Sequence, residues 1–232
     1  MTMQYDILPA SAEDAVAWRS CVDRAYANSL MTTIIFPQSR AHLSTDAEFQ
    51  AQKVGSQRKR MSDPNGIFLK TLAADQPGVI VGYTGLFKPG KFAKKATTTS
   101  DGQQRQQLPA TPELQHAQDA AAAMPRLDPE PFDEYTRKSE QARAEIWGDD
   151  SNYYFLGALG VDPSHQHRGL ARRMMQIHLD RADSDGLPIF LETSLHVAPF
   201  YRRMGFESRN EFSIAGGRYT VVPMVRPPRG VR

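Results

Sequence analysis

The stretch Tyr153–Arg173, YYFLGALGVDPSHQHRGLARR, constrains the fold of this chain more than any other. Its apolar run from Tyr153 to Val161 is long enough for one buried strand. Asp162, Pro163 and Ser164 break that strand. Gln166-His167-Arg168-Gly169-Leu170-Ala171 then leads into a segment with helical spacing. A strand, a tight loop and a helix start in this order aim several main-chain N–H groups at one point. The first four N–H groups of a helix lack internal partners, and the helix dipole puts partial positive charge there. The turn is therefore an anion site, best suited to phosphate. Gly169, without a Cβ, lets a ligand approach the backbone. Ala171 is nearly as small, and Arg168, Arg172 and Arg173 add positive charge.

The rest of the chain supplies a frame of strands and helices. Gln4–Leu8 reads as a short strand. Ser11 reads as the N-cap of a helix over Ala12–Asn28. Leu30–Gln38 reads as an apolar loop, with Ile35 and Phe36 either plugging the core or walling a pocket. Thr45 and Glu48 match a capping box. The helix after it carries a sparse apolar stripe and ends in the basic run Arg58-Lys59-Arg60, which reads as a solvated helix end, with a phosphate contact as the alternative. Ile67–Ala73 and Val79–Phe87 read as strands. The segment 88–130, rich in Pro, Gln and Lys, reads as a mostly disordered surface insertion with one short helix opening at Pro112-Glu113, or as a lid. A helix starting at Asp128-Pro129 or Pro131 keeps Phe132, Tyr135, Ser139, Ala142 and Ile146 in register and stops at Gly148. After the central unit, Ala171, Met174, Met175, His178, Leu179 and Ala182 form an apolar stripe, with His178 expected to be packed and hydrogen-bonded. Leu187–Thr193 is the next strand, Phe200–Met204 a short helix, and Phe206–Ile214 with Arg218–Val225 a hairpin across Ala215-Gly216-Gly217. This order predicts a single α/β domain over residues 1–232, a central mixed sheet with helices on both faces.

Composition narrows the function. With 28 Lys+Arg against 26 Asp+Glu, the net charge of +2 does not single out nucleic acid as a partner. One cysteine, Cys21, allows no internal disulfide and is expected to be packed and inert. No apolar run of signal-peptide type follows Met1, and no stretch is long and apolar enough to span a membrane. The expectation is a cytoplasmic protein without membrane contact, a monomer or homodimer. His165-x-His167 lacks the accompanying Cys, Asp or Glu set of a metal site, so no metal is expected.

Two motifs carry a family resemblance. Gln166, Gly169 and Ala171, following Leu159-Gly160-Val161, resemble the acyl-CoA loop of the GCN5-related N-acetyltransferases (GNAT). Downstream, Ala198-Pro-Phe-Tyr201-Arg-Arg-Met-Gly205-Phe206 is similar to the family's second signature, Ala-x-x-Tyr-x-x-x-Gly-Phe. Phe190-Leu-Glu-Thr-Ser194 with Pro199-Phe-Tyr201 further resembles the branch that includes puromycin N-acetyltransferase. The resemblance covers about Tyr153–Phe206 and implies a GNAT-type fold whose central strand splays from its neighbour. It implies acetyl-CoA as co-substrate, its pyrophosphate wrapped by His167, Arg168, Gly169, Leu170, Ala171 and Arg172 with help from Gln166. Leu159, Gly160 and Val161 would offer strand-edge groups to the pantetheine arm, as an added strand would. Tyr201 matches the family's general acid.

The base is more open. Glu192 sits in an otherwise apolar strand, where an unpaired carboxylate is costly. It is either matched to a cation or hydrogen-bond donor, or it handles protons or binds the substrate's ammonium. Some family members carry a glutamate in the central strand; here that place holds Phe155. The implied activity is transfer of an acetyl group to a primary amine of a small molecule, with Phe36 and Glu192 as candidate acceptor contacts. A non-catalytic acyl-CoA-binding domain of the same fold, or an enzyme acting on protein or peptide amines, are the alternatives.

Overall fold

The computed structural model describes residues 4–92 and 123–230. The short helix expected from Pro112, and most of the expected 88–130 insertion, lie outside the described residues.

The first strand, β1 (Tyr5–Pro9), leads through a capping box at Ser11 and Asp14 into a 3-10 turn over Ala12–Asp14 and helix α1 (Ala15–Ala25). Ala15, Trp18 and Cys21 are its buried positions, and burial pushes the Cys21 thiol up to about 12, the inert thiol expected. The apolar stretch after it is not a loop. Ser29 caps a helix, α2 (Leu30–Ile35), and a 3-10 turn follows over Gln38–Leu43. β-branched Thr32, Thr33, Ile34 and Ile35 weaken the helical signal locally, but burial of Ile34 and Ile35 against Met124 and Leu127 overrides it. Helix α3 (Asp46–Met61) starts at the capping box of Thr45 and Glu48.

Strands β2 (Gly66–Ala73) and β3 (Ile80–Phe87) follow. Helix α4 (Pro129–Trp147) begins on Asp128, whose side chain accepts from the Glu130 N–H, and ends at Gly148 with φ +58°. Strand β4 (Tyr154–Val161), helix α5 (Leu170–Ser184), strand β5 (Ile189–Ser194) and the short helix α6 (Ala198–Arg202) form the central unit. Strands β6 (Glu207–Ser208), β7 (Phe212–Ile214) and β8 (Tyr219–Arg226) close the chain. β7 and β8 are joined across Ala215, Gly216 and Gly217, all with positive φ.

The strands make one eight-stranded mixed sheet in the order β1-β2-β3-β4-β5-β8-β6, with β7 also on β8. Only β4 and β5 run parallel. Period-two alternation sorts the side chains. Ile80, Tyr83 and Phe87 pack with Trp18 and Met61 under α1 and α3, and Phe190 packs under Trp147 of α4. Val81 packs with Leu170 and Met174 of α5 on the opposite face, and Leu191 packs there with Met175, Tyr201 and Phe206. The α5 stripe is thus buried as its spacing predicts.

His178 departs from expectation in one respect. It is fully buried, but neither ring nitrogen has a hydrogen-bond partner among the described residues. Burial, and then the charge of Arg181, push its pKa down to about 4 from an ordinary 6.5. The unfolded chain therefore binds the extra proton between those values, and stability falls as pH drops through that window. The free energy by which His178→Leu exceeds the wild type in urea unfolding is expected to grow from pH 7 to pH 4 by about 3 kcal/mol. A difference that stays constant with pH would contradict a neutral, unpartnered ring.

Candidate functional site

β4 and β5 are ladder partners only at Tyr154↔Ile189, Phe155↔Phe190 and Leu156↔Leu191. Both strands continue, β4 to Val161 and β5 to Ser194, but as separate edges. On its other side β4 stays paired to β3 through Val161, with one irregularity that leaves Gly157 as the extra residue between Ala158 and Leu156. A bulge bends and twists the strand that carries it, and here the bend coincides with the divergence of β4 from β5. The splay implied by the resemblance is present.

Within the gap, antiparallel alternation decides which main-chain groups are free. Asp162 N–H donates to Val81 O, so in the register of this pair Gly160 turns its main-chain groups to Tyr83 on β3, while Leu159 and Val161 turn theirs toward the gap. This revises the expectation for Gly160. A Cβ there would fall 2.5 Å from Cζ of Tyr83, so glycine leaves room for that ring. The two edge carbonyls have local partners: Tyr26 Oη donates to Leu159 O at 3.2 Å, and Gln166 Nε2 donates to Val161 O at 3.1 Å. Gln166 thus braces the loop from within.

The loop is built around Asp162. Its carboxylate accepts from the Ser164 N–H and hydroxyl and pairs with Arg24 of α1. Burial opposes its charge, but the Ser164 and Arg24 hydrogen bonds hold its carboxyl below the usual range. His165 is buried, with Nδ1 3.1 Å from Tyr5 Oη and Nε2 3.3 Å from Gln76 Nε2. No group of His, Cys, Asp and Glu suited to a metal ion occurs among the described residues. Past this anchor the chain turns through His167 at φ +60° and Gly169 at φ +76°, which is the N-cap of α5 and offers no side-chain cap. His167, Arg168 and Gly169 are exposed. Among the described residues, the N–H groups of His167, Gly169, Leu170, Ala171 and Arg172 have no hydrogen-bond acceptor, the first pairing in the helix being Arg173 N–H to Gly169 O. These outward amides, the helix dipole and the exposed side chain of Arg172 form a cradle for an anion.

Tyr201 lies on the α5 face of the sheet, 6% exposed, between Phe200 and Phe206. Its hydroxyl has no hydrogen-bond partner among the described residues. Burial, and then Tyr26, push its pKa above the ordinary phenol value, so it is protonated at neutral pH. Tyr26 itself stands at the gap, where its hydroxyl donates to Leu159 O.

Glu192 lies on the other face, beneath α4, so the sheet separates it from Tyr201. It is matched rather than bare. Oε2 accepts from Tyr135 Oη at 2.8 Å and Ser139 Oγ at 2.6 Å, and Oε1 is 3.8 Å from Arg143 Nη1. Phe36 is more distant in role: it caps α2 and meets Phe49 edge-on at 5.2 Å. Its cluster includes Phe132 and Tyr219, so α4 joins it to the Glu192 group. Phe155 stacks on Phe87 and Phe190, which leaves no carboxylate at that point of β4.

Sequence reasoning did not single out Tyr26, Arg60, Tyr135, Ser139 and Arg143 as site residues. Tyr135 and Ser139 fall in the helix's apolar spacing and read as core; Arg143 continues their i, i+4, i+8 row on the same helix face, and that row of polar groups is the signal. Arg60 is not part of a solvated helix end; its Nη2 donates to Gly157 O at 2.7 Å.

Residues 137–208 match the family model described as an acetyltransferase (GNAT) domain. An uncharacterised N-acetyltransferase of Schizosaccharomyces pombe is 31% identical over 77 residues, which are 32% of this chain and 31% of that protein. The match therefore spans under a third of the length of that curated relative. An arylalkylamine N-acetyltransferase-like protein of a mosquito has a TM-score of 0.58 at 13% identity, covering 97% of this chain and 100% of the other. A histone acetyltransferase HPA2-related acetyltransferase of Corynebacterium glutamicum has a TM-score of 0.57 at 15% identity, covering 100% and 99%. The chain has the GNAT-type acetyltransferase fold. No helix among the described residues is long and apolar enough to cross a membrane.

Proposed function

We propose that this protein transfers the acetyl group of acetyl-CoA to a primary amine of a small molecule, by direct attack in a ternary complex. The observation that carries this reading is the row of amides at His167 and Gly169–Arg172 that have no acceptor among the described residues, placed at the end of a strand that has separated from its neighbour. The amides would hold the pyrophosphate of the carrier, each charge-assisted bond contributing about 1.5–3 kcal/mol. The edges of Leu159 and Val161 would line the pantetheine arm and aim the thioester along the gap.

In the reaction the amine nitrogen attacks the thioester carbonyl carbon, the C–S bond breaks, and the departing thiolate takes the Tyr201 proton. The phenol is protonated at neutral pH, as a donor must be, while its burial raises its pKa and so works against transfer to the thiolate. The proton lost by the amine leaves through the α4 face, where Glu192 would receive it or hold the ammonium before it is lost. Phe36 would wall the acceptor side. The aminonucleoside-acetylating branch resembled by Phe190–Ser194 and Pro199-Phe-Tyr201 favours a small-molecule acceptor. We further expect a cytoplasmic enzyme, with residues 1–232 acting as one domain.

Release of free thiol from acetyl-CoA, followed over a panel of amines and peptides, tests this. Amine-dependent release above the hydrolytic background is expected. Tight carrier binding with no amine-dependent turnover would instead mark a non-catalytic acyl-CoA-binding domain.

A further inference from the structure

Arg60 ends α3 with its guanidinium turned inward. Nη2 donates to Gly157 O at 2.7 Å, and the group lies over the Phe87 ring at 5.2 Å. Gly157 is the bulge of β4 and makes space for it: a Cβ there would collide with Arg60 Nη2 and sit 3.1 Å from both Phe155 Cε1 and Phe87 Cε2. Among the described residues no carboxylate pairs with Arg60, although Arg24, Arg143 and Arg226 all have one. Burial opposes its charge, and the hydroxyls near it are those of Tyr135, Tyr26 and Tyr83. Two of these lie where β4 and β5 part, just beyond the last ladder pair Leu156↔Leu191: Tyr26 binds the Leu159 carbonyl, and Tyr135 binds Glu192, while Gly157 and Glu192 are the first residues past that pair.

A guanidinium has five N–H donors, and in half-buried Arg60 one carbonyl leaves the others open to solvent or to a ligand. A partly desolvated cation without a counter-charge gains from a binding partner that supplies the charge. The planar fork matches a carboxylate in two-point fashion. We infer that Arg60 recognises a carboxylate on the acceptor, so that the substrate class is a small amine that also carries an acid group, as an amino acid does. Glu192, whose Oε2 is held by Tyr135 and Ser139 while Oε1 has no hydrogen-bond partner among the described residues, would lie toward the amine end of such a molecule. The inference rests on the acyl-transfer reading only for naming this gap the acceptor site.

Matched pairs differing by the carboxylate test it: tyrosine and tyramine, phenylalanine and phenethylamine, ornithine and putrescine. Equilibrium binding to the full chain with CoA present, and kcat/KM with acetyl-CoA, are measured for each. The acid member is expected to bind about 10-fold tighter or more, the effect of one charge-assisted contact. Arg60→Gln should bring the ratio within each pair close to one. Gly157→Ala, which displaces the guanidinium without removing it, should do the same and serves if Arg60→Gln fails to fold. Equal binding within the pairs, no binding by any acid member, or a preference that survives both variants would overturn the inference. An Arg60-dependent preference in binding without acetylation would leave it standing and refute the acyl-transfer reading; acetylation without preference would do the reverse.

Discussion

Tyr201→Phe is expected to lower kcat by about 10²–10⁴-fold, the usual contribution of a positioned acid, with little change in the affinity for acetyl-CoA. The hydroxyl makes no hydrogen bond among the described residues, so its removal leaves no stranded partner, and the ring keeps its edge contacts with Phe200 at 5.0 Å and Phe206 at 5.6 Å. Folding should be unaffected or slightly improved, since a buried hydroxyl without a partner is a cost. Single-turnover acetyl transfer, read beside carrier affinity and a thermal melt, separates the cases. Unchanged turnover would remove Tyr201 from the acid role.

The second large effect is expected at Gly169. Its φ of +76° lies in the left-handed region, and a Cβ built there meets nothing within 4 Å, so it would stand in open space beside the start of α5. Gly169→Val should therefore weaken carrier binding in two ways. A branched side chain resists positive φ at a cost of about 1–2 kcal/mol, which would rotate the amides of Leu170 and Ala171 away. The methyl groups would also occupy the cradle. Together these effects predict a rise in the acetyl-CoA dissociation constant of about 100-fold or more, given 1.4 kcal/mol per decade. Gly186, also at positive φ with open space but remote from the loop, supplies the control: Gly186→Val should strain its own turn and leave carrier affinity unchanged.

The central unit was legible in the sequence because its local signals agree. An apolar run, a Pro-containing break, a glycine and an amphipathic stripe all point to strand, loop and helix, and the capping boxes at Ser11 and Thr45 mark helix starts correctly. What was not legible depends on tertiary placement. Leu30–Ile35 reads as a loop because β-branched residues and a following proline weaken its helical pattern, and only burial against Met124 and Leu127 makes it a helix. Arg60 reads as a solvated helix end because sequence cannot show that a glycine 97 positions on leaves room for its guanidinium. Tyr201 and Glu192 could not be assigned to opposite faces until the register of β5 was known. Gly160 and Leu159, adjacent in the chain, part company for the same reason: strand alternation turns one to β3 and the other to the gap.

Amide chemical shifts of ¹⁵N-labelled protein titrated with CoA test the central claim most directly. Gripping of the diphosphate by the start of α5 predicts large saturable shifts at His167, Gly169, Leu170, Ala171 and Arg172, with smaller ones at Leu159 and Val161. Saturating CoA that leaves these amides unmoved, or moves only residues elsewhere, would contradict it.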